Sequence, residues 1–181
     1  MKQVILFVEG VDRCGKTQIA KELAKCISVP YFKASSEHDS YLSDKVNKRD
    51  AFLNQLRYAD PRVFDVLKQT GYGLIFDRGF PSEFAYSKVM GRRTDMAMLE
   101  HMDNMWASIG ARIILCRRTS YVGIVDDIDP EIDEVKLAAL DAAYQEFACW
   151  TSCEVYQLNV DDENLDREVT EVVSFLQKSY D

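Results

Sequence analysis

"EGVDRCGKTQ" occupies residues 9–18, directly behind the apolar run "VILFV" at 4–8, and its last three residues open "KTQIAKELAK" at 16–25, whose apolar residues recur at helical spacing. From Gly10 to Thr17 the letters fit G-x-x-x-x-G-K-[ST], with a strand before and a helix after. Gly10 and Gly15 let the backbone turn and come close to an anion, and the loop amides and helix N-terminus attract it. Lys16 is expected to reach the outer phosphates of a nucleotide, and Thr17 to offer its hydroxyl to a divalent cation. Cys14 and Gln18 complete the stretch expected to touch the bound nucleotide.

Working outward, 181 residues with 47% hydrophobic content suffice to bury one sizeable core, and no linker-like stretch divides them, so one domain over 1–181 is expected. The formal charge of -8 repels anions globally, so a phosphate ligand must be met by local arginines and lysines, and non-specific nucleic-acid binding is disfavoured. The five cysteines are scattered without a CxxC pair, and the two histidines complete no metal-ligand set. A reduced, metal-cluster-free protein of the cytoplasm is the expectation, since the N-terminus reads neither as a secretion signal nor as a membrane span.

Further strand-like runs lie at 30–34, 73–76, 112–116 and 154–158, and helical periods at 16–27, 51–69, 82–90, 94–108, 131–150 and 165–178. This alternation predicts an α/β fold: a five-stranded parallel sheet in three layers, with helices on both faces and ligands at the carboxyl ends of the strands. Ser82 and the 162–164 turn are expected to cap helices, Gly91 to close one, and Pro130 to precede an acidic first turn.

Asp12 and Arg13 exceed what a bare phosphate cradle needs. A carboxylate beside bound phosphate would be repelled unless it served a second substrate, so Asp12 points to an acceptor at the loop. Arg13 can stabilise a transferring phosphoryl group, a contribution of about 10³ to 10⁵ in rate where such an arginine is supplied. A solvated loop position is the alternative for Arg13. Together the pair indicates phosphoryl transfer more than simple hydrolysis.

"VEGVDRCGKTQIAKEL" resembles the phosphate loop of thymidylate kinases, which reads EGxDxxGK[ST], and "LIFDRGFPSEFAY" resembles that family's strand, Asp-Arg pair and S-x-x-A-Y. Asp77, Arg78, Ser82, Ala85 and Tyr86 match in spacing, Arg57 in "FLNQLRYAD" stands where an acceptor-holding arginine is found, and Tyr144 gives a weaker echo. The resemblance covers about residues 3–92 and implies a P-loop nucleotide-kinase fold, ATP and Mg²⁺ as cofactors, and a homodimer. On roles, the residues agree with it. Asp77 at a strand end could hold Mg²⁺ with Thr17; Arg78 and Arg57 could grip an acceptor phosphate; Tyr86 could wall the sugar, with Ser82 and Tyr144 nearby. Phe52 or Leu53 could stack on the base or pack in the core, and Asp77 and Arg78 could instead form a structural ion pair. Adenine contacts are expected at the turn after "EVYQL", near Asn159.

The chain departs from the family in two places. After the second strand the Arg-Pro-containing loop is missing, with Lys33 and Ser35 as the polar substitutes; the lid-like segment at about 117–134 carries six carboxylates behind Arg117 and Arg118, and no further arginine. An acidic lid cannot clamp ATP phosphates, and a solvated helix entry is the plainer account of it. The acceptor expected is a deoxynucleotide: a thymidylate-type monophosphate, whose phosphate needs no general base, or alternatively the hydroxymethyl group of 5-hydroxymethyluracil in DNA, with Asp12 as base. Arg92 and Arg93 could then touch a DNA backbone or simply complement a helix C-terminus. A nucleotide-binding module without transfer is the third possibility.

Overall fold

The side chains of the central strand Ile5–Gly10 (β1) alternate between two apolar clusters, and this alternation organises the molecule. The structure, a computed structural model, describes residues 3–34, 45–124 and 133–178. Ser35, Pro130 and residues 125–132 of the acidic segment lie outside them. Leu6 and Val8 join Ile75, Ile114 and Cys116 beneath the helices Lys16–Ile27 (α1) and Leu165–Lys178, the last helix of the chain. Ile5 and Phe7 join Phe76 and Ile113 on the other side, where Phe7 stacks on Phe76 at 4.5 Å and meets Trp106 edge-on at 5.3 Å.

The remaining strands are Tyr31–Lys33 (β2), Leu74–Asp77 (β3), Arg112–Arg117 (β4) and Glu154–Asn159 (β5). All pair in parallel, in the order β2-β3-β1-β4-β5, with β1 between β3 and β4. The five-stranded parallel sheet with helices on both faces is thus present. The order brings the ends of β1, β3 and β4 side by side, so Gly10, Asp77 and Cys116 emerge at one edge.

Helices Lys45–Asn54 (α2), Asp60–Thr70 (α3), Phe80–Val89 (α4), Met96–Ala107 (α5) and Glu134–Trp150 (α6) complete the chain before Leu165–Lys178 (α7). The single helix expected at 51–69 is corrected here: it starts earlier, and Gln55–Ala59 forms a π-helical turn. Pro61 explains it, because its ring clashes with the carbonyl four residues back and it has no N–H to donate. Ser82 is also corrected as a cap. It sits inside the first turn of α4, which opens at Gly79 and Phe80. Asn164 does cap α7, accepting from the Arg167 amide at 3.1 Å, and Asp133 caps α6 through the Lys136 amide at 2.8 Å. Among the described residues no helix is long and apolar enough to cross a membrane.

Candidate active site

Gly10 ends β1 with φ +132°, and a Cβ there would lie 2.2 Å from the carbonyl oxygen of Cys116. Only glycine fits so close to β4. Gly15 opens α1 in the left-handed region, and its carbonyl accepts from the amides of Gln18 and Ile19 at 3.0 and 3.1 Å. The loop between is braced from both sides. Lys16 is buried and its Nζ donates to the Val11 carbonyl, while Arg118 donates to the Arg13 carbonyl from Nε at 3.3 Å and Nη2 at 3.0 Å. Burial, reinforced by the like charge of Arg78, pulls the Lys16 amine below its usual range. A phosphate arriving there would remove an electrostatic penalty.

Thr17 donates to Asp77 Oδ2 at 2.7 Å, and the Tyr31 hydroxyl donates to the same oxygen at 2.9 Å. Asp77 is 1% exposed, and among the described residues its partners are these two hydroxyls, neither carrying charge. A buried carboxylate without a counter-charge, beside a threonine hydroxyl, is a hard-oxygen donor set that fits Mg²⁺. Asp77 and Arg78 therefore form no ion pair with each other: Asp77 turns to Thr17, and Arg78 to Asp12.

Arg78 takes a left-handed backbone, φ 71°, at the turn from β3 into α4. A non-glycine residue held there is a strained position, of the kind that clusters at ligand sites. Its Nη2 donates to Asp12 Oδ1, and the Tyr86 hydroxyl donates to Asp12 Oδ2 at 2.6 Å, with the guanidinium 5.3 Å from the Tyr86 ring centre. Burial alone would raise the Asp12 pKa, but Arg78, Lys16 and the Tyr86 bond outweigh it and hold the carboxyl below its usual range. Asp12, Arg78 and Tyr86 thus form one group at the mouth of the phosphate loop.

Behind that group lies Glu9, which is 0% exposed and which the EGxDxxGK[ST] match includes without giving it a role. Glu9 Oε1 accepts from the Gly79 amide at 2.6 Å; Oε2 accepts from Ser82 at 2.7 Å and from Tyr144 at 3.2 Å. Ser82 and Tyr144, expected at the acceptor, are buried and engaged with Glu9, and they meet Arg78 Nη1 only at 3.4 and 3.5 Å. They support Arg78 from behind. Burial, opposed by the charge of Arg78, pushes the Glu9 carboxyl up to about 7. Its signals in the sequence are its place as the first letter of the EGxDxxGK[ST] match and an acid closing an otherwise apolar strand.

A carboxyl whose pKa rises on folding keeps its proton in the folded state after the unfolded chain has lost it. Its contribution is therefore complete below the ordinary value near 4.5 and declines as pH rises toward 7. For a rise of that size the decline amounts to about 3 kcal/mol. Asp60, pushed up to about 6 by burial, adds a slope of the same sign. Glu9→Gln is expected to flatten the fall of the thermal midpoint between pH 4.5 and 7 relative to wild type, and unchanged slopes in parallel melts would place the Glu9 proton elsewhere.

The other expected residues are distributed as follows. Arg13 is exposed on the loop with φ 65°, Gln18 is exposed on the first turn of α1, and Cys14 is buried against Val11 and Ile19, so it can serve a ligand through its backbone. Arg57 lies on the π turn with its side chain 42% exposed and 3.4 Å from Asp95 at the start of α5. Phe52 is 9% exposed and belongs to the cluster of Phe76 and Trp106, which is the core-packing alternative and leaves little ring to stack on a base. Asn159 closes β5 on the wall of an open cleft of about 810 Å³, together with Arg117, Arg118 and Asp141. Arg117 grips Asp141 with two bonds, 3.0 and 2.6 Å, and Arg118 pairs with Glu163 at 2.6 Å. The basic start of the lid-like segment is thereby committed to α6, the phosphate loop and the turn before α7.

This architecture recurs in solved structures, among them a thymidylate kinase and a deoxyadenosine kinase. Thymidylate kinase from Ehrlichia chaffeensis aligns with a TM-score of 0.65 at 13% identity, over 98% of this chain and 99% of its own. Deoxyadenosine kinase from M. mycoides, solved with dCMP and dCDP, aligns with 0.63 at 16% identity, over 97% and 100%. YorR from Bacillus subtilis, solved with phosphorylated GDP, gives 0.63 at 16% identity over 98% of both chains. No protein-family model matches the chain, and no curated protein sequence matches it significantly. The likeness is one of fold: the chain has the P-loop nucleotide-kinase fold.

Proposed function

We propose that this chain is an ATP- and Mg²⁺-dependent phosphotransferase acting on a deoxynucleotide, foremost a thymidylate-type deoxynucleoside monophosphate. The observation that carries this is the Asp12, Arg78 and Tyr86 group at the mouth of a complete phosphate loop. A hydrolase has no use for a carboxylate and a guanidinium locked together there, whereas an acceptor phosphate can take over the guanidinium. Lys16 and the loop amides hold the donor phosphates, Thr17 and Asp77 hold Mg²⁺, and Arg13 faces the transferring group. Bound Mg²⁺ would neutralise charge on the donor phosphates. The cleft beside Asn159 suits the donor base. A cytoplasmic homodimer, one domain per chain, accompanies this assignment.

The low pKa of Asp12 supports a monophosphate acceptor, because a general base works best with a pKa near the working pH and an acceptor phosphate needs none. The alternative is a hydroxyl acceptor, such as the 5-hydroxymethyl group of a uracil in DNA, with Asp12, at the mouth of the loop, as its base.

The test follows γ-labelled ATP with Mg²⁺, offering deoxynucleoside monophosphates, nucleosides, and duplex DNA with and without 5-hydroxymethyluracil. Label in a free monophosphate is the expected result. Label in the modified DNA would select the hydroxyl acceptor, and ATP binding without transfer to any acceptor would overturn both.

A further inference from the structure

Tyr31 stands outside every motif, yet its hydroxyl reaches the carboxylate assigned above to Mg²⁺. The reach follows from register. Tyr31 pairs with Ile75 and Lys33 with Asp77, so Tyr31 begins two residues, roughly 6.6 Å of strand, short of the carboxylate. A tyrosine side chain spans that gap. Its ring packs half-buried against the cluster beneath α1, with Lys21 Nζ 5.7 Å from the ring centre, and its hydroxyl ends on Asp77 Oδ2 beside that of Thr17.

Both hydroxyls fall on Oδ2, and among the described residues Oδ1 accepts nothing. Two donors on one oxygen fix the plane of the carboxylate and leave the other oxygen for the ion or one of its waters. Without the tyrosine hydroxyl, Thr17 alone would orient the group. Ala34, directly after β2, donates its amide to the Asp77 carbonyl at 3.1 Å, so β2 and the residue that follows it hold Asp77 by side chain and backbone together.

We infer that Tyr31 is a positioning residue for the metal carboxylate, orienting Asp77 for Mg²⁺ from the edge strand. The inference rests on the proposed function, since it takes Asp77 as the Mg²⁺ carboxylate. Partners that orient a metal ligand typically account for about 10- to 100-fold in metal affinity. Tyr31→Phe keeps the ring and removes only the hydroxyl.

The experiment titrates Mg²⁺ into the full chain with a fluorescent ATP analogue and reads nucleotide binding rather than turnover. Tyr31→Phe is expected to shift the Mg²⁺ midpoint upward by about 10-fold or more, to bind the analogue in EDTA as wild type does, and to regain wild-type binding at high Mg²⁺. Phe32→Leu, on the same strand but without a bond to Asp77, controls for damage to β2 and is expected to keep the wild-type midpoint. A Tyr31→Phe midpoint equal to wild type, or a shift shared by Phe32→Leu, would overturn the positioning role while leaving the kinase assignment intact. Wild-type binding that ignores Mg²⁺ would overturn the assignment and this inference with it.

Discussion

Lys16→Ala is expected to lower phosphoryl transfer from ATP by at least about 10³-fold, the scale on which a preorganised donor at a developing charge acts. The side chain is buried, its amine is held within the loop by the Val11 carbonyl, and it stands 4.0 Å from Asp12. Its charge is unfavourable until phosphate arrives, because burial and Arg78 both oppose it. Removing it should therefore leave the thermal midpoint without nucleotide near wild type and abolish the rise that ATP produces. Single-turnover transfer and melts with and without ATP read the two effects separately. Full activity in the variant would remove the phosphate-loop assignment.

The second large effect is expected at Arg78. Arg78→Ala should lower kcat/KM for the acceptor by about 10²- to 10³-fold while changing ATP affinity only slightly. The backbone contributes little to that difference, since alanine meets the same left-handed φ penalty that arginine meets at 71°. What disappears is the guanidinium that binds Asp12 and lies over Tyr86. Arg78→Lys should recover little, because an ammonium lacks the planar fork that engages two oxygens at once. Steady-state kinetics with the acceptor and ATP varied in turn decide it, and an unchanged acceptor profile would exclude Arg78 from the site.

The bounds of α1 and α7 coincide with the apolar periods at 16–27 and 165–178, because each helix buries one face and the spacing of that face is written locally. The strands were legible for the same reason. The order β2-β3-β1-β4-β5 was not, since local pattern says nothing about which strand ends meet. The π turn before Pro61 escaped because apolar spacing reports a face, not the width of a helix. In the candidate site, Asp12, Lys16 and Thr17 were legible within one loop, and Arg78 and Tyr86 through the resemblance. Glu9 stood in the loop match, but its role did not show there: its partners lie 70, 73 and 135 residues away, and only folding selects them. Ser82 and Tyr144, expected at the acceptor, lie next to Arg78 but are bonded to the buried Glu9, a partner that distance along a motif does not reveal.

The close approach of Gly10 to Cys116 makes the sheet a measuring device. Gly10 pairs with Cys116 on β4, and Arg117 pairs with Asn159 on β5, so the root of the phosphate loop and the far wall of the cleft are separated by two strand spacings, about 10 Å. Backbone hydrogen bonds set that span, and no side chain can lengthen it. Under the proposed assignment of this cleft to the donor base, substitutions along the wall would change which base is accepted without changing how far it stands from the phosphates, so preference for the base and geometry of the donor would be free to evolve independently.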